Sequence, residues 1–115
     1  VEYRAILNAV RGTMPDPPNG GGPFSLSMPD TLEGLFRDAG LTVLESGEVN
    51  CPFSYPDFET FWRGNVAAGP LQGVLRTVSE ADLKSALFRA TEPFRSSDGT
   101  ILIHPNIFKY VIATV

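Results

Sequence analysis

A thiol nucleophile needs a base beside it, and this chain holds one candidate of each: Cys51 is its only cysteine and His104 its only histidine. A neighbouring imidazole would activate the sulfur by taking its proton. Both residues lie in or next to strand-like segments, so a fold could bring them together. Pro105 directly after His104 instead marks a turn, and no catalytic residue is assigned. Metal binding needs three or four clustered ligands, which one His, one Cys and scattered carboxylates do not supply. Asp57 and Glu59 point to different sides of a helical pattern and make no acid–base pair. The run Asn19-Gly20-Gly21-Gly22 has the composition of a phosphate loop. No strand precedes it, Pro23 follows it and no helix opens at its last glycine, all of which that motif needs.

The densest chemistry is aromatic. Phe53, Tyr55, Phe58, Phe61 and Trp62 crowd into one short stretch, and Phe58, Phe61 and Trp62 share one helix face. Such a cluster is either core or the wall of an apolar ligand pocket. These five are the candidate substrate-binding residues, although a plain core role accounts for at least two of them.

The elements that would position this cluster are legible. Residues 27–50 read as a capped helix, a glycine stop and a strand. Ser27 and Asp30 fit a capping box with Pro29 in the first turn. Leu32, Leu35, Phe36 and Ala39 follow the spacing of a buried helix face. Gly40 sits where a left-handed residue ends a helix, with Leu41 folding back on Phe36. An alternating run extends over 41–53, with Gly47 as its bulge. Ahead of this, Tyr3, Ile6, Leu7 and Val10 form a helical stripe ended by Gly12, and residues 13–23 form a long loop.

Further on, residues 52–56 read as a turn. Asp57 opens a helix that Gly64 and Asn65 stop. Gly69-Pro70 starts the next, with Leu71, Val74, Leu75 and Val78 inward. Ser79 and Asp82 form a second capping box before Leu83, Ala86, Leu87 and Ala90, and Pro93 ends that helix. Ser97-Asp98-Gly99 signals a turn. Residues 100–103 and 108–114 read as strands. The last is apolar on both faces apart from Lys109, which predicts a strand covered on both sides.

Composition bounds the rest. The chain has 115 residues, 43% hydrophobic, with a formal charge of −4. Its length predicts one domain over 1–115, of α+β class, with helices on a small antiparallel sheet in which 41–53 pairs with 108–114. No basic stripe interleaves with aromatics, which argues against nucleic acid. No apolar run approaches a membrane span. A single cysteine fits a reducing cytoplasm. The chain opens inside a helical pattern without a methionine, which reads as a cut end.

In the order of its pieces the chain resembles the C-terminal part of class I S-adenosylmethionine-dependent methyltransferases. The pieces are PFSLSMPDTLEGLFRDAGL leading into a strand, then PFSYPDFETFW, a helix pair, and DGTILIHPNIFKYVIATV. In that family an Ala-Gly step, here Ala39-Gly40-Leu41, leads into the sixth strand, and an antiparallel seventh strand, here 108–114, closes the sheet. The helices between them, here 56–94, pack near the substrate. The resemblance implies the C-terminal part of a Rossmann-like fold. It departs from the family in lacking the glycine-rich loop and the acidic strand end that hold the cofactor, so no cofactor-binding residue carries over.

The resulting expectation is the substrate-side portion of a methyltransferase, inactive alone, with S-adenosylmethionine bound only by a complete enzyme. The alternative is a stand-alone module for small-ligand binding or dimerisation. A small enzyme built on Cys51 and His104 is the third reading. Apolar stripes left without a partner sheet predict a homodimer, with a small molecule as a further partner.

Overall fold

The computed structural model describes residues 3–15, 17 and 24–115; the glycine run at 19–22, read above as lacking the context of a phosphate loop, and the chain start at Val1 lie outside them. The elements in order are α1 (Tyr3–Thr13), α2 (Thr31–Asp38), β1 (Thr42–Asn50), β2 (Phe53–Tyr55), α3 (Phe58–Val66), α4 (Gly69–Val74), α5 (Glu80–Ala90), a 3-10 turn (Glu92–Phe94), β3 (Ile101–Ile103) and β4 (Ile107–Thr114). The fold is α+β. Where the length suggests one domain, the chain divides into two compact units: Val1–Pro17 with Pro52–Asn106, and Pro18–Cys51 with Ile107–Val115.

The larger unit is built on helices. Ile6 and Val10 from α1 meet Phe61 and Trp62 from α3, Leu71 and Val74 from α4, Leu83 and Leu87 from α5, and Ile101 and Ile103 from β3 in one core. Fully burying a side chain such as Phe61 stabilises the unit by about 1.5–3 kcal/mol relative to leaving it exposed. The α1 stripe is therefore covered from within its own unit and asks for no second chain.

Helix starts follow local chemistry. Asp57 is extended, and its carboxylate accepts the Thr60 backbone N–H at 2.7 Å. That bond, then the Thr60 side chain, hold its carboxyl below the usual range. The Ser79 hydroxyl accepts the Asp82 N–H at 3.1 Å and opens α5. Gly64 and Asn65 do not stop α3, which runs on to Val66. Asn65 is tolerated inside the helix because both halves of its amide are used. Its Nδ2 donates to the Phe61 carbonyl at 2.8 Å and its Oδ1 accepts the Tyr3 hydroxyl at 2.6 Å.

Residues 52–56 are not the expected turn. Phe53, Ser54 and Tyr55 form β2, antiparallel to β3 with Phe53 opposite Ile103 and Tyr55 opposite Ile101. The flanking prolines suggest a turn in sequence, yet they sit outside the three-residue strand, where no ladder N–H is required. Phe53 thus belongs to a different sheet from β1.

In the smaller unit, α2 packs on an antiparallel pair, β1 with β4. The expected pairing of these two segments is observed. The helix stop is also as expected. Gly40 has φ +83°, its N–H reaches the Arg37 carbonyl, and the Leu41 N–H reaches the Phe36 carbonyl, which is a Schellman closure.

The expected capping box at Ser27 does not form. Asp30 itself precedes the helix with φ 62°, makes no side-chain cap bond, and is instead taken by Arg37 at 2.5 Å. The Ser27 hydroxyl donates to the Phe24 carbonyl. Leu32 and Phe36 are only half-buried, while Leu35 and Ala39 are exposed, so the expected buried stripe is partial.

The bulge in β1 falls at Leu44, between Val43 and Glu45, rather than at Gly47. Gly47 has another duty. Tyr110 opposite it lies so close that a Cβ there would stand 2.8 Å from the phenol oxygen.

Strand β4 corrects the expectation of cover on both faces. Its odd-numbered residues face the α2 side and are half-buried. Phe108, Tyr110 and Ile112 on the other face are 46%, 38% and 49% exposed, with Val49 opposite Phe108 at 47%. Among the described residues this sheet stops at two strands.

Candidate functional site

The aromatic cluster splits by depth. Phe61 and Trp62 are buried in the core, while Phe53, Tyr55 and Phe58 are half-buried around it. Tyr55 meets Phe61 edge-on with ring centroids 5.1 Å apart, and Tyr3 meets Phe53 in the same way at 5.2 Å. Edge-to-face pairs of this kind each add about 0.5–1.5 kcal/mol beyond area burial. Phe61 and Trp62 are thus core residues, and Phe53 and Tyr55 pack on that core through these ring contacts.

Phe58 borders an open hollow. It stands at the start of α3, in edge-to-face contact with Phe88 of α5 at 5.0 Å. Ala81, Lys84, Ser85, Phe88 and Arg89 complete the lining of a cavity of about 370 Å³. Residues 81, 84, 85 and 88 lie at helical spacing, so they form a second stripe on α5 beside the inward one. Ala81 and Ser85 are short and leave the space; Phe88 and Phe58 supply apolar wall; Lys84 and Arg89 supply charge. The sequence signal for this site was the second stripe, hidden because Lys84 and Ser85 interrupt its apolar character.

Each charge at the groove has a defined partner. Lys84 Nζ pairs with Glu59 at 3.0 Å and sits 5.7 Å from the centre of the Trp62 ring. Arg89 donates to the Ser85 hydroxyl at 2.9 Å. Arg95 stacks its guanidinium over Phe88 at 3.9 Å and donates to the Phe88 carbonyl. Stacking of this kind orients the ring and adds positive potential near it.

A second, polar hollow of about 300 Å³ lies in the smaller unit, lined in part by Asp30, Glu33, Ser46 and Lys109. Glu33 and Lys109 face each other at 3.6 Å, and both side chains are largely withdrawn from solvent. Glu33's own backbone N–H, the Ser46 hydroxyl and the Lys109 charge hold its carboxyl below the usual range against the opposing effect of burial. A carboxylate neutralised in this way is a fastening between α2 and β4, not a base in waiting.

The two residues that opened the chemical argument fall in different units: Cys51 in the smaller, His104 in the larger. Cys51 is exposed and in no disulfide. His104 is exposed and lies on a hollow with Arg95 and Leu102. Among the described residues no group of three or more His, Cys, Asp or Glu is placed to hold a metal ion, and no helix is long and apolar enough to cross a membrane.

The chain matches no protein-family model, no curated protein and no solved structure.

Proposed function

We propose that the chain is the substrate-side C-terminal portion of an S-adenosylmethionine-dependent methyltransferase, without transfer activity by itself. The observation that carries this reading is β4. It is eight residues long, apolar on both faces apart from Lys109, and returns antiparallel on β1 after three intervening helices. A strand so composed suits the interior of a sheet covered on both sides. Helix α2 running through a Gly40 stop into β1 gives the order of elements that the family resemblance implies.

Among the described residues no strand enters a helix through a glycine-rich turn; β2 passes into α3 through Pro56 and Asp57. The described residues form no cradle for the cofactor, which would be held by the remainder of such an enzyme. An exposed thiol outside any disulfide suits a cytoplasmic setting. The groove beside Phe58 favours a second reading, a small-molecule binding module, and in a complete enzyme the same groove would serve the methyl acceptor.

The half-exposed face of the β1–β4 pair also has a consequence for partners. A second copy would cover Val49, Tyr110 and Ile112 by two-fold symmetry, since one patch then covers itself. The isolated chain is accordingly a dimer in this account.

The test is calorimetry with S-adenosylmethionine on this chain and on the full-length product of the gene that encodes it. The reading expects binding by the longer product alone. Absence of binding by that product would overturn it.

A further inference from the structure

We infer that the groove between α3 and α5 binds a small aromatic carboxylate. The inference concerns binding in the larger unit and stands independently of the methyltransferase reading.

Shape comes first. The hollow exists because Ala81 and Ser85 are short where their neighbours on the stripe, Lys84 and Phe88, are long. At about 370 Å³ it lies at the small end of ligand-pocket volumes. A single or fused ring fits that space.

Wall chemistry selects a ring. Phe88 is 48% exposed, although a ring of this size in the last turns of a helix ordinarily seeks the core. Its position is held from both sides, by Phe58 edge-on at 5.0 Å and by Arg95 stacked at 3.9 Å. A preset ring with an accessible surface offers an aromatic guest the offset or edge contact that such pairs prefer. Holding it in advance removes an ordering cost from binding.

Charge selects the acid. Lys84 and Arg89 are the ionised residues lining the groove, and no carboxylate is among the lining residues. Glu59 draws Lys84 to one side at 3.0 Å. Arg89 engages Ser85 through Nη1, which leaves its other donors to grip both oxygens of a carboxylate in the bidentate manner that arginine favours. Arg95, behind Phe88, adds to the positive potential. An uncharged aromatic would satisfy the wall and forgo this grip.

The probe is 1-naphthoate, with 1-naphthalenemethanol as its uncharged match, titrated into the 115-residue chain and followed by amide-resolved NMR. Saturable shifts at Phe58, Lys84, Ser85, Phe88 and Arg89 are expected for naphthoate, with the alcohol at least about tenfold weaker, the fold-change expected for a hydrogen bond to a charged group. Arg89→Gln should weaken naphthoate about tenfold and leave the alcohol unchanged. Ser85→Leu should block both by filling the hollow. Both positions are exposed, and an unchanged amide spectrum verifies that each variant is folded. Equal affinity for acid and alcohol, shifts centred on other residues, or naphthoate binding indifferent to Arg89→Gln would each overturn the inference.

Discussion

Tyr110 lies across Gly47 on the neighbouring strand, so near that any β-carbon at position 47 would stand 2.8–2.9 Å from its phenol oxygen and ring edge. The glycine fills a strand position that would otherwise favour a side chain, and the aromatic ring takes the vacated space.

That relationship predicts a coupling. Gly47→Ala relieves a backbone penalty of about 0.5–1 kcal/mol but forces the ring aside, an overpacking cost of about 1–3 kcal/mol. The single change should destabilise the smaller unit by about 1 kcal/mol, and should stabilise it slightly when Tyr110→Ala is already present. Hydrogen exchange at β1 and β4 amides measures both. Additive effects would mean that the ring is not held there.

How much of this was legible in sequence depends on whether the signal was local. Gly40, Asp57 and Ser79 announce their helix ends because caps are decided within a few residues. The β1–β4 pairing followed from two β-rich runs separated by a helical pattern. Asp30 misled because its carboxylate has a competing partner seven residues on, Arg37. Gly47 looked like a bulge because its reason, Tyr110, is far away in the chain. The aromatic cluster marked the right region, but depth is a tertiary property. Phe61 and Trp62 are core, and the groove beside Phe58 is completed by side chains of α5 that no local pattern joins to it.

The hydrogen bond from the Tyr3 hydroxyl to Asn65 Oδ1 at 2.6 Å ties α1 to α3. Tyr3→Phe leaves a buried amide oxygen without its donor and should cost about 1–3 kcal/mol. Trp62, the only tryptophan, lies in that unit's core, so its fluorescence during denaturant unfolding reads the loss directly.

The same tyrosine predicts a pH response. Burial, then the neighbouring Tyr55, raise the Tyr3 phenol above its ordinary value of 10.0. The folded state therefore holds that proton more tightly than the unfolded state. Its stabilising contribution is complete below pH about 10 and is lost as pH rises through the raised value. Wild-type stability should fall more steeply than that of Tyr3→Phe above pH about 10. Identical slopes would remove Tyr3 from the account.

The exposed face of β4 predicts association. Sedimentation of the isolated chain at tens of micromolar should show a dimer, and Ile112→Lys, which places a charge at the patch, should shift it to monomer. Ile112 is already half exposed, so the substitution spares the unit's own packing. A wild-type monomer at that concentration would contradict a self-covering patch.

The central claim is that the β1–β4 pair is the end of a larger, cofactor-binding sheet. Calorimetric titration of S-adenosylmethionine tests it most directly, run side by side on this chain and on the full-length product of the gene that encodes it. The account predicts saturable binding by the longer product and none by the 115-residue chain. Binding by the short chain, or a longer product that ignores the cofactor, would contradict it.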